Sequence, residues 1–141
     1  MKIKTRSISL LSFVFLLMAT TLLGQNSTTV KERKIVSVTV QEYFIEEGLD
    51  EPEVESFKAF NEKGELTELK EFNNKGDIKR WEKYAYTEEG RIEEEIFLNA
   101  KGKVDRREKS SYKDGLRIEK LYFNNKDKLY KKKVYEYEYR D

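Results

Sequence analysis

Beyond residue 34 the chain alternates apolar and polar residues with a period of two, and a long series of apolar positions is even-numbered: Phe60, Leu66, Phe72, Ile78, Tyr84, Tyr86, Ile92, Ile96, Leu98, Val104 and Tyr112. That period belongs to strands with one face set apart from the other. A seven-residue phrase interrupts the alternation at intervals: FNEKGEL from Phe60, FNNKGDI from Phe72, YTEEGRI from Tyr86, LNAKGKV from Leu98, YKDGLRI from Tyr112 and FNNKDKL from Phe123. Each copy is an apolar residue, a polar stretch that usually contains glycine, and an apolar residue. Successive copies start 12, 14, 12, 14 and 11 residues apart, so the natural unit is a pair of turns spanning 26 residues, with Phe60, Tyr86 and Tyr112 equivalent. A repeat this regular outweighs local propensity as a fold signal.

The phrase reads as a hairpin turn closed by a residue in the left-handed region. Gly64, Gly76, Gly90, Gly102 and Gly115 are the residues expected there, with Asp127 taking the same place in the last copy. In FNNKGDI this pairs Phe72 with Ile78, and the same arithmetic pairs Phe60 with Leu66, Tyr86 with Ile92, Leu98 with Val104 and Phe123 with Leu129. Because these pairs are even with even, the apolar residues are expected on one face. Between Ile118 and Leu121 the apolar parity turns odd, which requires a bulge or a change of face near YKDGL. Trp81 is odd-numbered and is expected on the other face, with Leu69 directly across from it.

Lys34 to Ile45 forms a leading strand by its β-branched content, followed by an acidic connection that carries Pro52, the one proline. The expected fold is all-β: an antiparallel meander of about eight strands built from repeated hairpins. A sheet with one apolar face must close into a barrel or half-barrel, pack on itself, or be covered by another copy or a ligand. The pattern leaves these alternatives open.

The first 24 residues have a different character. Lys2, Lys4 and Arg6 precede a short apolar run, Leu10 to Ala19, as in a signal peptide, and Gly24 can fill the small position before a cut that leaves Gln25 as the new terminus. An uncleaved anchor is the alternative. The domain plan is therefore 1–24 signal peptide, 25–33 flexible segment and 34–141 β-repeat domain, and the expected location is secreted, periplasmic or cell-surface, with no membrane span after cleavage. Beyond residue 24 stand 25 basic and 27 acidic residues, a net charge of −2, which argues against nucleic acid as a partner. The chain has no cysteine, so no disulfide staples it and stability must come from packing and strand pairing.

Chemistry-bearing patterns are few. With neither histidine nor cysteine, the usual nucleophile, base and zinc-ligand sets are missing, so no catalytic residue, metal or cofactor is expected and the protein reads as a non-enzyme. Glu93, Glu94 and Glu95 are expected beside Arg106 and Arg107, where cross-strand charge pairing accounts for them. The acidic run from Glu46 to Glu55 lacks the spacing of a calcium loop. Lys131 to Lys133, with Lys126 and Lys128, reads either as an anion-binding patch or as edge lysines that prevent strand-to-strand association. Trp81 with Leu69 is the candidate contact site, its alternative being a small second core.

YAYTEEGRI, Tyr84 to Ile92, and YEYEY, Tyr135 to Tyr139, resemble the tyrosine and turn pattern of the YD repeats of RHS-type proteins, over roughly Phe57 to the C-terminus. The chain is similar, more weakly, to the MORN-like repeats of the YwqK antitoxin group, and its LLGQ segment resembles the signal style of exported Bacteroidota proteins. The resemblance implies an exported β-repeat protein that acts by binding, to a protein or carbohydrate partner, or as a structural module. Two further expectations stand beside this: an immunity or antitoxin-like protein that neutralises a toxin, and a carrier holding a hydrophobic ligand on a curved apolar face.

Overall fold

The computed structural model describes residues 27–44 and 51–140; the expected signal segment lies outside them. A short helix, α1 (Ser27–Glu32), precedes eight strands: β1 (Ser37–Glu42), β2 (Glu53–Phe60), β3 (Leu66–Phe72), β4 (Ile78–Tyr86), β5 (Ile92–Leu98), β6 (Val104–Lys113), β7 (Leu116–Asn124) and β8 (Leu129–Val134). They form one antiparallel sheet in sequence order, with β1 and β8 as its two edges. The meander is as expected, but the sheet does not close into a barrel.

The reason it stays open lies in a device repeated at every hairpin. The turn pairs Phe60–Leu66, Phe72–Ile78, Tyr86–Ile92, Leu98–Val104 and Phe123–Leu129 are all present. Directly after each, the returning strand carries one extra residue: Thr67, Lys79, Glu93, Asp105 and Tyr130, with Ile118 playing this part after the Tyr112–Arg117 pair. Such a bulge leaves the turn pair intact and reverses the face of everything beyond it. Even-numbered residues at successive turns therefore fall on alternating faces, and the expectation of a single apolar face is corrected.

Two mixed faces result. Lys58, Leu69, Glu82, Phe97, Arg106 and Asn124 make one cross-strand row, and alternation adds Tyr84, Glu95, Glu108, Tyr112, Lys120 and Tyr122 to the same side, the tyrosine face. The opposite side, the tryptophan face, carries Phe57, Lys70, Trp81, Lys83, Ile96, Arg107 and Phe123. Leu69, at 5% exposure, is the one apolar strand side chain that is fully buried among the described residues. Among the described residues no second layer covers the sheet. Long basic side chains instead lie over the aromatic rings: Arg106 is 3.5 Å from the centre of Phe97, Lys70 4.3 Å from Trp81, Lys131 4.7 Å from Tyr122 and Arg107 5.4 Å from Phe123. In each case the charged group itself lies over the ring face, a cation–π contact, which reconciles a 39% charged composition with a folded sheet.

At one end of the sheet a tyrosine ladder repeats. The hydroxyls of Tyr86, Tyr112 and Tyr137 donate to the carbonyls of Leu66, Ile92 and Arg117, each at 2.7 Å and each reaching back 20 residues. Phe60, the equivalent residue of the first unit, has no hydroxyl. Instead α1 occupies that end: Val30 is completely buried, and a side chain at Gly64 would collide with the Ser27 carbonyl. The strand-like pattern of the chain did not anticipate this helix within segment 25–33.

Candidate functional site

On the tyrosine face the charges are matched strand by strand. Arg80 grips Glu82 through two hydrogen bonds, Nε to Oε1 at 2.7 Å and Nη2 to Oε2 at 2.8 Å, while the Tyr84 hydroxyl donates to the same carboxylate. Glu82 is 7% exposed. Burial raises its pKa, but the bonds from Arg80 and Tyr84 outweigh that and hold it below the usual carboxylate range. Farther along, Lys120 sits 2.7 Å from both Glu95 and Glu108, and Arg106 reaches Glu108 at 3.3 Å. Burial lowers the Lys120 pKa, and its two carboxylate partners reverse the shift and raise it. These groups satisfy one another, so Glu82 is a fixed anion rather than a proton donor.

The matching stops at the β8 edge. Lys131 and Lys133 project from the tyrosine face of β8, their ammonium groups 4.7 and 5.7 Å from the centre of the Tyr122 ring, with Lys120 also at 5.7 Å. Neither Lys131 nor Lys133 has a carboxylate within ion-pair distance among the described residues. Lys132 points the other way and pairs with Glu119. Tyr130, the bulged residue, places its ring 6.4 Å from that of Tyr122. Two uncompensated cations beside two aromatic rings on an open edge can attract an anionic group. The lysine run thus divides between the faces, which residue spacing alone did not reveal. The signal was present in the alternation of 131 and 133, once the bulge at Tyr130 is counted.

Trp81 and Leu69 do not come together. The bulge at Lys79 shifts the register so that Lys70 stands across from Trp81 and Glu82 across from Leu69, and the two residues lie on opposite faces. The Trp81 indole N–H donates to Glu68 at 2.6 Å, and the Lys70 ammonium lies over the ring. Its far edge approaches Gly102 so closely that a Cβ there would be 3.0 Å from the ring. Trp81 is half-buried and built into the tryptophan face.

The glycines named from the repeat have φ of 80° at Gly64, 76° at Gly76, 79° at Gly90, 74° at Gly102 and 82° at Gly115, and Asp127 has 58°. The turn 113–116 differs from the others: Asp114 also has positive φ, at 51°, giving a two-residue hairpin loop of the I′ type. Sequence reasoning missed the asparagines. Asn61, Asn73, Asn99 and Asn124 each accept two backbone N–H bonds on Oδ1, from residues two and four positions ahead, at 2.9 to 3.1 Å. Their signal is the asparagine that follows the first apolar residue in four of the six phrases. No group of three or more metal-ligating side chains occurs among the described residues, and no helix among them is long and apolar enough to cross a membrane. Compared with known proteins, the chain matches no family model and no curated sequence.

Proposed function

We propose that the protein is an exported, non-enzymatic β-repeat module that acts by binding, or as a structural element, at the cell envelope or outside the cell. The observation that carries this reading is the change in electrostatics along the sheet. On the tyrosine face Arg80, Arg106 and Lys120 pair with Glu82, Glu95 and Glu108, and Lys131 and Lys133, without a carboxylate partner among the described residues, stand at the β8 edge beside Tyr122. A single-layer sheet also offers two faces and two strand edges to partners, far more surface per residue than a layered domain. The bulges divide the apolar residues between the faces, which removes the support for a hydrophobic-ligand carrier. A toxin-neutralising role is the same binding reading with one dedicated partner. The recurrence of ladder tyrosines at 26 and 25 residues supports placing the chain with the hairpin-repeat proteins of YD or MORN-like style.

Fractionation of cells that export the full chain tests this proposal. The processed protein is expected outside the cytoplasm, accessible to added protease, and bound to envelope material from which 0.5 M salt releases it, since screening at roughly a 4 Å Debye length weakens contacts to exposed lysines. Retention in the cytoplasm would overturn it.

A further inference from the structure

The two edges of the sheet differ in charge. From Glu42 to Glu55, the end of β1 through the start of β2, the chain holds seven acidic residues and no basic one. From Lys126 to Lys133, the last turn and β8, it holds five lysines and one aspartate. Because turns of a meander alternate between the two ends of its strands, the paired Glu42 and Glu53, where β1 ends and β2 begins, lie at the same end of the sheet as the β7–β8 turn. With eight strands, β1 and β8 run in opposite directions. A second copy could set its β1 beside β8 and continue the antiparallel order unbroken, with its Glu42, Glu51 and Glu53 at the same end as the lysines of the last turn.

The exposed apolar side chains point to the same two edges. Of ten large exposed apolar residues among those described, Val36, Tyr43 and Val54 lie in or beside the β1 edge, and Leu129, Tyr130, Val134, Tyr137 and Tyr139 in or after β8. The backbone of β8 is also suitably disposed. Tyr135 N–H donates to Ile118, across from it on β7, at 3.0 Å, so the N–H of Val134, one residue earlier, faces away from β7 toward the open side.

We propose that the protein associates with itself head to tail, the β8 edge of one copy pairing with the β1 edge of the next. This goes beyond the module reading: it names the partner as a second copy and the product as an open-ended sheet. The lysines of β8 oppose the alternative, β8 against β8, because that arrangement juxtaposes like charges. They therefore select the acidic edge rather than forbid all pairing. A contact between two different edges does not close on itself and grows as a filament unless rotation brings it round to a ring.

Sedimentation velocity on the full chain, purified as its exporting host processes it, tests the proposal over a concentration series at low and high salt. The average mass should climb past the dimer with concentration at low salt and fall as salt is raised. Reversing the basic edge (K126E/K128E/K131E) or the acidic edge (E42K/E51K/E53K) should each weaken association more than tenfold. Mixing the two variants should restore it, because each reversed edge then meets its complement. Val134→Pro supplies a test independent of charge: it removes an outward N–H, so it should block growth while circular dichroism and the melting temperature stay close to those of the parent. A chain that is monomeric throughout, a species that stops at a dimer, association indifferent to both reversals, or a mixture that fails to reassociate would each overturn the proposal. None of these outcomes changes the fractionation result, so the two readings fail separately.

Discussion

Turn geometry makes sharply different demands on residues that share one motif. At Gly76 φ is 76° and a Cβ would meet nothing within 4 Å, so Gly76→Val tests backbone strain alone and should cost about 1 kcal/mol or more in urea denaturation. Gly102 has nearly the same φ, but its Cβ would press on Trp81, so Gly102→Ala combines strain with displacement of the indole and should cost more than Gly76→Ala. Equal losses would mean that the ring moves freely. Asp127 reverses the comparison. Its substitution by glycine relieves a positive φ of 58°, yet removes an ion pair with Arg107 that the repeat pattern did not indicate. Exposed pairs of this kind contribute roughly 0 to 1 kcal/mol. Asp127→Gly should therefore be neutral to slightly stabilising, and a clear drop in melting temperature would assign Arg107 the larger effect. For Trp81 the neighbours differ from those expected, since Leu69 lies on the other face. Held by Glu68, Lys70 and Gly102, Trp81 should cost roughly 2 kcal/mol when replaced by alanine, with partial shielding of its fluorescence from acrylamide. An unchanged melting temperature would return it to the role of an exposed anchor.

Hairpins were the most legible elements, and the physical reason is that a turn is specified locally. Glycine at positive φ, the apolar pair around it and the spacing between copies lie within seven residues, so the strand count, their order and the turn pairs could be read directly. Which face each strand presents could not, because it depends on one extra residue whose only trace is a shift of register. Thr67, Lys79, Glu93, Asp105, Ile118 and Tyr130 share no side-chain chemistry that marks them as bulged. The cluster around Tyr122 and the separation of Trp81 from Leu69 follow from those bulges and were hidden with them. The tyrosine ladder was half legible: the 26-residue unit made Tyr86 and Tyr112 equivalent, but a hydroxyl reaching back 20 residues to a neighbouring hairpin is a tertiary contact. Each rung joins consecutive repeat units, so Tyr112→Phe should lower stability by about 1 kcal/mol, the usual value of one hydrogen bond. The same change at Tyr137, at the exposed end of the ladder, should cost less.

The described sheet places much of its specific stabilisation in charged and phenolic side chains, and the molecule's response to pH should follow. Glu82 has a folded pKa below its ordinary 4.5, so the ionised form stabilises the fold; that contribution is present above the ordinary value and is lost as pH falls through the folded one. Burial pushes the Tyr86 hydroxyl from its ordinary 10.0 up to about 12, and the neutral form is the one that donates to Leu66. Its contribution is complete below pH 10 and is lost between about 10 and 12. Lys120, raised above 10.5 by Glu108 and Glu95 against the opposing effect of burial, acts in the same direction as Tyr86. Urea midpoints should therefore form a plateau through neutral pH, with one decline in acid and a second in alkali above about pH 10. Two substitutions separate these limbs. Glu82→Gln should lower the plateau, because Arg80 loses its anion, and flatten the acid decline while leaving the alkaline one in place. Tyr86→Phe should do the converse, trading a modest loss at neutral pH for a shallower alkaline decline. If the acid limb of Glu82→Gln runs parallel to that of the parent, the acid sensitivity belongs to the many other carboxylates of the sheet, and the Arg80, Glu82 and Tyr84 cluster does not govern it.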